Sequence, residues 1–142
     1  MKLRSRRKIE IGSERGQSLT EFALALPILA LLLFAVIQFG IVFNHYVTLT
    51  DATRAGARQG AVARRLSNPA LATTTAVVNS ACGKPNPPCN LKGFSASNVT
   101  VTSTWQPAAD VTVKATYPYQ ISLLGMVVKS GTLSSTTTER VE

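Results

Sequence analysis

Glu21 is the fifth residue after Gly16 in the run Arg15-Gly16-Gln17-Ser18-Leu19-Thr20-Glu21-Phe22, directly ahead of a long apolar segment. An ionised carboxylate loses hydration beside hydrocarbon, so an acidic side chain at the mouth of such a segment has a function by default. A second reading of Glu21 is local. Ser18 can cap a helix, and a glutamate three residues later completes a capping-box pattern. That reading leaves the Gly16-Gln17 pair and the basic residues before it without a role.

Other chemistry is sparse. Cys82 and Cys89 bracket Cys-Gly-Lys-Pro-Asn-Pro-Pro-Cys, a spacing that suits neither a C-x-x-C redox pair nor a zinc site. In an oxidising compartment a short disulfide-closed loop is the natural reading, with two free thiols as the alternative. Closing so short a loop contributes roughly 2 kcal/mol through chain entropy. His45, the only histidine, stands beside Tyr46 at the end of the apolar segment and reads as an interfacial side chain. Gln38, a lone polar group in that segment, can hydrogen-bond across helices for about 1 kcal/mol or sit near the interface. Asn98-Val99-Thr100 matches a glycosylation acceptor, a pattern too short to carry weight. No nucleophile–base pair, phosphate loop or metal-ligand cluster is present, so neither catalysis, a cofactor nor a metal is expected.

These residues must be positioned by a chain of 142 residues, enough for one modest domain. Phe22 to Phe43 is interrupted only by Pro27, Gln38 and Gly40. As a helix it measures roughly 33 Å, enough to cross a hydrocarbon core of about 30 Å. A cleaved secretory signal has a shorter apolar region, about 7 to 15 residues, with a small-residue site just after it. The segment therefore reads as an anchor. The formal charge is +8, but Lys2, Arg4, Arg6, Arg7, Lys8 and Arg15 crowd the leader and Arg54, Arg58, Arg64 and Arg65 follow the apolar segment. By the positive-inside rule the leader stays in the cytoplasm and the C-terminal part lies outside. With no RNA-binding, zinc-finger or helix-turn-helix pattern, nucleic acid is not an expected partner.

One helix is expected from about Ser18 through the membrane to around Arg65, loosened locally at Pro27. Beyond the membrane Ala52, Gly56 and Gly60 recur every four residues, which lets another backbone approach closely. That backbone belongs either to the chain's own fold or to a neighbouring subunit. Arg54, Arg58 and Arg65 form a basic face, either solvated or in contact with anionic headgroups of membrane lipid. Ser67-Asn68-Pro69 should cap a second, short helix to about Ala81. Strand character follows at Asn98–Trp105 and Asp110–Tyr117, interrupted by Pro118 before Tyr119–Leu124, and again from about Leu133 to Val141. Alternation with one apolar face predicts an antiparallel sheet that needs a helical cover. The expected class is α+β, a long transmembrane helix continuing into a small extracytoplasmic domain. Its divisions are a basic leader over 1–16, the helix over 17–65 with its span at about 22–43, and an α+β domain over 66–142.

The block from Glu14 to Pro27, with Phe39-Gly40 and Ala52-Thr53-Arg54-Ala55-Gly56-Ala57-Arg58, resembles the TadE-like family of tight-adherence (Flp-type) pilus systems. The specific likeness runs over roughly residues 14–62. The resemblance implies a class III signal of the type IV pilin kind, cut by a prepilin peptidase between Gly16 and Gln17. Glu21 would be the acidic residue of the mature helix, neutralising the terminal amine of a neighbouring subunit, with Phe22 in the aromatic place that follows. Cleavage would remove six of the fifteen cations, leaving nine against five carboxylates, a net +4. The outer domain is large for the main pilin of such systems, which implies a minor pilin or pseudopilin. Its partners would be the peptidase, other pilin subunits, the assembly platform and lipid. Its place would be the bacterial cytoplasmic membrane, with a role in assembly and surface adhesion. The competing reading is an uncleaved single-pass protein whose outer domain binds a ligand or surface.

Overall fold

The structure is a computed structural model that describes residues 13–83, 89–123 and 125–142. Most of the leader expected over 1–16, the inner part of the cysteine loop and Leu124 lie outside the described residues. The chain divides into two compact units, Met1–Val36 and Ile37–Glu142. Helix α1, Ser13–Val62, contributes to both.

In the first unit α1 is apolar on all sides. Leu19, Phe22, Leu24, Ile28, Leu32 and Phe34 are all exposed, although together they cover the whole helix circumference. A helix with apolar residues all round finds its solvent in lipid or in other helices. It is the one helix among the described residues long and apolar enough to cross a membrane. Pro27 lies inside it without ending it, and takes away the N–H that would otherwise bond the Ala23 carbonyl. The helix begins at Ser13, ahead of the expected start at Ser18. Ser18 is thus an internal helical residue, and the Ser18–Glu21 capping box does not form.

The second unit is α+β. Leu49, Ala52, Thr53, Gly56, Ala57 and Gly60 make one buried face of α1 at helical spacing. A 3₁₀ turn, Ala63–Arg65, closes the helix before Leu66 turns extended. Helix α2, Pro69–Cys82, then starts as the sequence predicts: Asn68 Oδ1 accepts from the Leu71 N–H at 2.9 Å, and Pro69 takes the first turn. Thr73, Val77 and Ala81, four residues apart, are its buried stripe. Cys82 at its end is disulfide-bonded to Cys89.

Strands β1 (Val99–Thr102), β2 (Asp110–Leu123) and β3 (Met126–Arg140) form an antiparallel sheet in the order β1-β2-β3. Val111, Val113, Ala115 and Tyr117 alternate along β2 on the face toward the core. With Leu49, Ala52, Ala57, Val77, Ala81, Leu91, Phe94 and Val141 they complete it. Two strand boundaries differ from expectation. Pro118 does not interrupt β2, because β1 pairs only as far as Ala115. From there one edge of β2 has no neighbouring strand among the described residues, and a residue lacking an N–H costs nothing on an open edge. β3 begins at Met126 rather than near Leu133, so β2 and β3 make one long hairpin, closed where Leu123 pairs with Met126. Gly125 sits in the turn at φ +83°, a backbone angle that glycine adopts without strain.

Candidate functional site

Gly16, Gln17, Glu21 and Phe22 lie together near the start of α1, all exposed. Helical geometry brings residues four apart onto one face. Gln17 Nε2 accordingly donates to Glu21 Oε1 at 3.3 Å, and the Thr20 hydroxyl donates to the Gly16 carbonyl at 2.9 Å. The Gly16–Gln17 bond is therefore helical. A Cβ at Gly16 would meet nothing within 4 Å, so the glycine is not required for packing within the chain. It does lower local helix stability, by about 1 kcal/mol relative to alanine. A carboxyl group, an amide donor and an aromatic ring thus stand where the polar end of the helix gives way to its apolar surface.

The small-residue face has a different surrounding. Ala52, Gly56 and Gly60 are buried within the second unit. A Cβ on Gly56 would collide with Val77 Cγ2 and come within 3.4 Å of the Thr73 carbonyl oxygen. One on Gly60 would lie 2.9 Å from Val111 Cγ2 and 3.1 Å from Thr73 Oγ1. These glycines seat α1 on α2 and β2 of the same chain. Between them Thr53, fully buried, ties α1 to the sheet. Its hydroxyl donates to the Thr50 carbonyl and accepts from Thr137, which leaves the Ser135 hydroxyl, 2.9 Å away, as donor to the same oxygen. Thr53 lies inside the Ala52–Arg58 motif, but an isolated threonine among alanines gives no sign of being a buried anchor.

Arg54 and Arg58 are exposed on α1, with Arg54 placed 3.6 Å from Asp51. Arg65 belongs instead to the 3₁₀ turn, where the helical register changes. It lines an open hollow of about 330 Å³ with Val62, Arg64 and Glu142. His45 packs edge-to-face on Tyr117, ring centres 5.4 Å apart. Both line a second hollow, about 260 Å³, with Ile41, Val42, Pro118, Tyr119 and Gln120. Among the described residues no group of three or more His, Cys, Asp or Glu side chains is placed to hold a metal ion.

The model of the TadE-like protein family matches residues 16–58. This stretch of the chain is TadE-like. The match begins at Gly16 and takes in Gln17, Glu21, Phe22, Ala52, Arg54, Gly56 and Arg58, while Gly60, Arg65 and the cysteines fall beyond it. No curated protein and no solved structure matches the chain.

Proposed function

We propose that this TadE-like chain is a minor pilin or pseudopilin of a tight-adherence pilus, processed by a prepilin peptidase after Gly16. The observation that carries this reading is the Gly16-to-Glu21 segment, at the head of a helix whose apolar surface is exposed among the described residues. Cutting the Gly16–Gln17 bond turns Gln17 into a new amino terminus and removes the leader with its six cations. A charged amine and a carboxylate each pay heavily for leaving water, and their pairing offsets much of that cost. The Glu21 carboxylate of one subunit thereby takes the terminal amine of a neighbour, which sets the stagger between helices. Phe22 and the leucines after it supply the apolar contact area. The leader stays in the cytoplasm, α1 crosses the cytoplasmic membrane, and the second unit lies outside, where it contributes to pilus assembly and surface adhesion.

The test is a pair of substitutions in the full chain, expressed with its pilus system. Gly16→Ala is accommodated sterically, so loss of processing in that variant reports recognition by the peptidase and not misfolding. Glu21→Gln keeps the side chain's length and removes its charge. It should be cut and inserted normally yet be missing from assembled pili. Normal maturation of Gly16→Ala, or normal assembly of Glu21→Gln, would refute the reading.

A further inference from the structure

The far end of the β2–β3 hairpin breaks the pattern of the rest of the sheet. Along β3, residues 130–140 are mostly polar, but Met126, Val127 and Val128 are consecutive and 69%, 58% and 62% exposed. Successive strand residues point to opposite faces, so this tip is apolar on both sides. The partner strand contributes Ile121 and Leu123, both partly exposed. Ile121 pairs with Lys129 and Ser122 with Val127, which makes Val128 the extra residue of a bulge. Bulges bend a strand and re-aim its side chains. Runs of exposed apolar residues on a soluble surface invite aggregation unless a partner covers them.

The direction of the hairpin says what covers it. Gly60 faces Val111, Thr53 bonds Ser135 (the register partner of Ala115), His45 packs on Tyr117, and Ile41 and Val42 share a hollow with Tyr119 and Gln120. As β2 advances, its neighbours on α1 recede toward Ile37, so strand and helix run antiparallel. The apolar stretch of α1 ends at Phe43, and Gln120 is already level with residues inside it. Leu123 lies three residues further along, about 10 Å at the usual strand rise. Within the second unit the tip therefore points past Ile41 and Val42, which are themselves part of the apolar stretch.

We propose that the hairpin tip is a second membrane contact, with Leu123, Met126, Val127 and Val128 seated in the headgroup–acyl boundary of the leaflet on the sheet's side. Lys129, exposed directly behind the tip, reaches anionic phosphates from there, its apolar stem lying along the acyl surface. Tyr117, Tyr119 and His45 stand at the level where amphipathic rings collect at membrane interfaces. Such a contact would hold the second unit against the bilayer before the subunit leaves it. The proposal rests on α1 crossing the bilayer and is independent of cleavage at Gly16.

The test reconstitutes the full chain in vesicles of phosphatidylethanolamine and phosphatidylglycerol whose acyl chains are brominated near the headgroup. Three variants each add one tryptophan to the constant background of Trp105: Val127→Trp at the tip, Thr136→Trp on an exposed part of β3, and Leu33→Trp in the span. The added emission should be lost at positions 33 and 127 and kept at 136. Emission kept at 127 and lost at 33 would overturn the proposal while leaving the span intact. Emission at 127 that is blue-shifted but unquenched would also overturn it, by showing the tip packed on a second copy of the chain. Emission kept at 33 would overturn the membrane reading and this proposal together.

Discussion

The two ends of α1 obey opposite packing rules. Over the stretch before Val36 the large side chains are the exposed ones, Leu32 and Phe34 among them. From Leu49 to Gly60 the buried positions are mostly Ala and Gly. A helix buries small residues where a partner backbone comes close, and carries large ones where its partner is fluid or has yet to arrive. The C-terminal part of α1 has used its contact face on α2 and β2, and among the described residues the large side chains of the N-terminal part stay exposed. The chain is a folded unit and an unfinished helix on one continuous backbone, and the TadE-like match spans both.

Glycine substitutions break this comparison most sharply. Gly56→Leu drives a side chain into Val77 and the α2 backbone, and should destabilise the second unit by about 3 kcal/mol or more. Gly40→Leu meets nothing within 4 Å. Thermal unfolding of the detergent-solubilised chain should show a large loss for the first and none for the second. Equal losses would end the distinction. If the apolar surface of the span, in which Gly40 lies, is kept for neighbours, Gly40→Leu should still reduce the amount of chain recovered in pili.

Smaller effects sharpen the same contrast. Replacing Cys82 and Cys89 together by alanine should cost roughly 2 kcal/mol, read as a lower denaturant midpoint, with membrane insertion unchanged. Thr53→Val leaves the Ser135 and Thr137 hydroxyls without their shared acceptor and should cost about 1 to 2 kcal/mol. Its conservative partner, Thr53→Ser, should restore most of that. Arg54→Ala removes an exposed ion pair with Asp51 and should fall within about 0.5 kcal/mol of the parent. A larger loss there would mean that the basic face packs against something in the folded unit.

Much of this was legible in the residues because it follows from local chemistry. Asn68-Pro69 starts α2 where capping predicts, the alternating valines and threonines of β2 form a half-buried strand, and the cysteines close their loop. The misreadings share a cause, which is that a local rule depends on a neighbour not visible locally. Ser18 satisfies the capping pattern, but the helix had already begun at Ser13. Pro118 ends a strand only where an N–H is needed, and β1 stops short of it. Met126–Val128 lacks alternation because neither face of the hairpin tip meets the core, so period-two patterning does not reveal it. The spacing of Ala52, Gly56 and Gly60 announces a close backbone without saying whose. Glu21 is the reverse case: it is exposed and bonded to Gln17, and the role expected for it rests on the residues before and after it.

The most direct test of the account is the N-terminal mass of the membrane-bound protein, from cells with and without their prepilin peptidase. The account predicts a chain beginning at Gln17 when the peptidase is present and an intact leader when it is absent. An intact leader in both would contradict it, and the chain would be a permanent membrane anchor carrying a small outer domain.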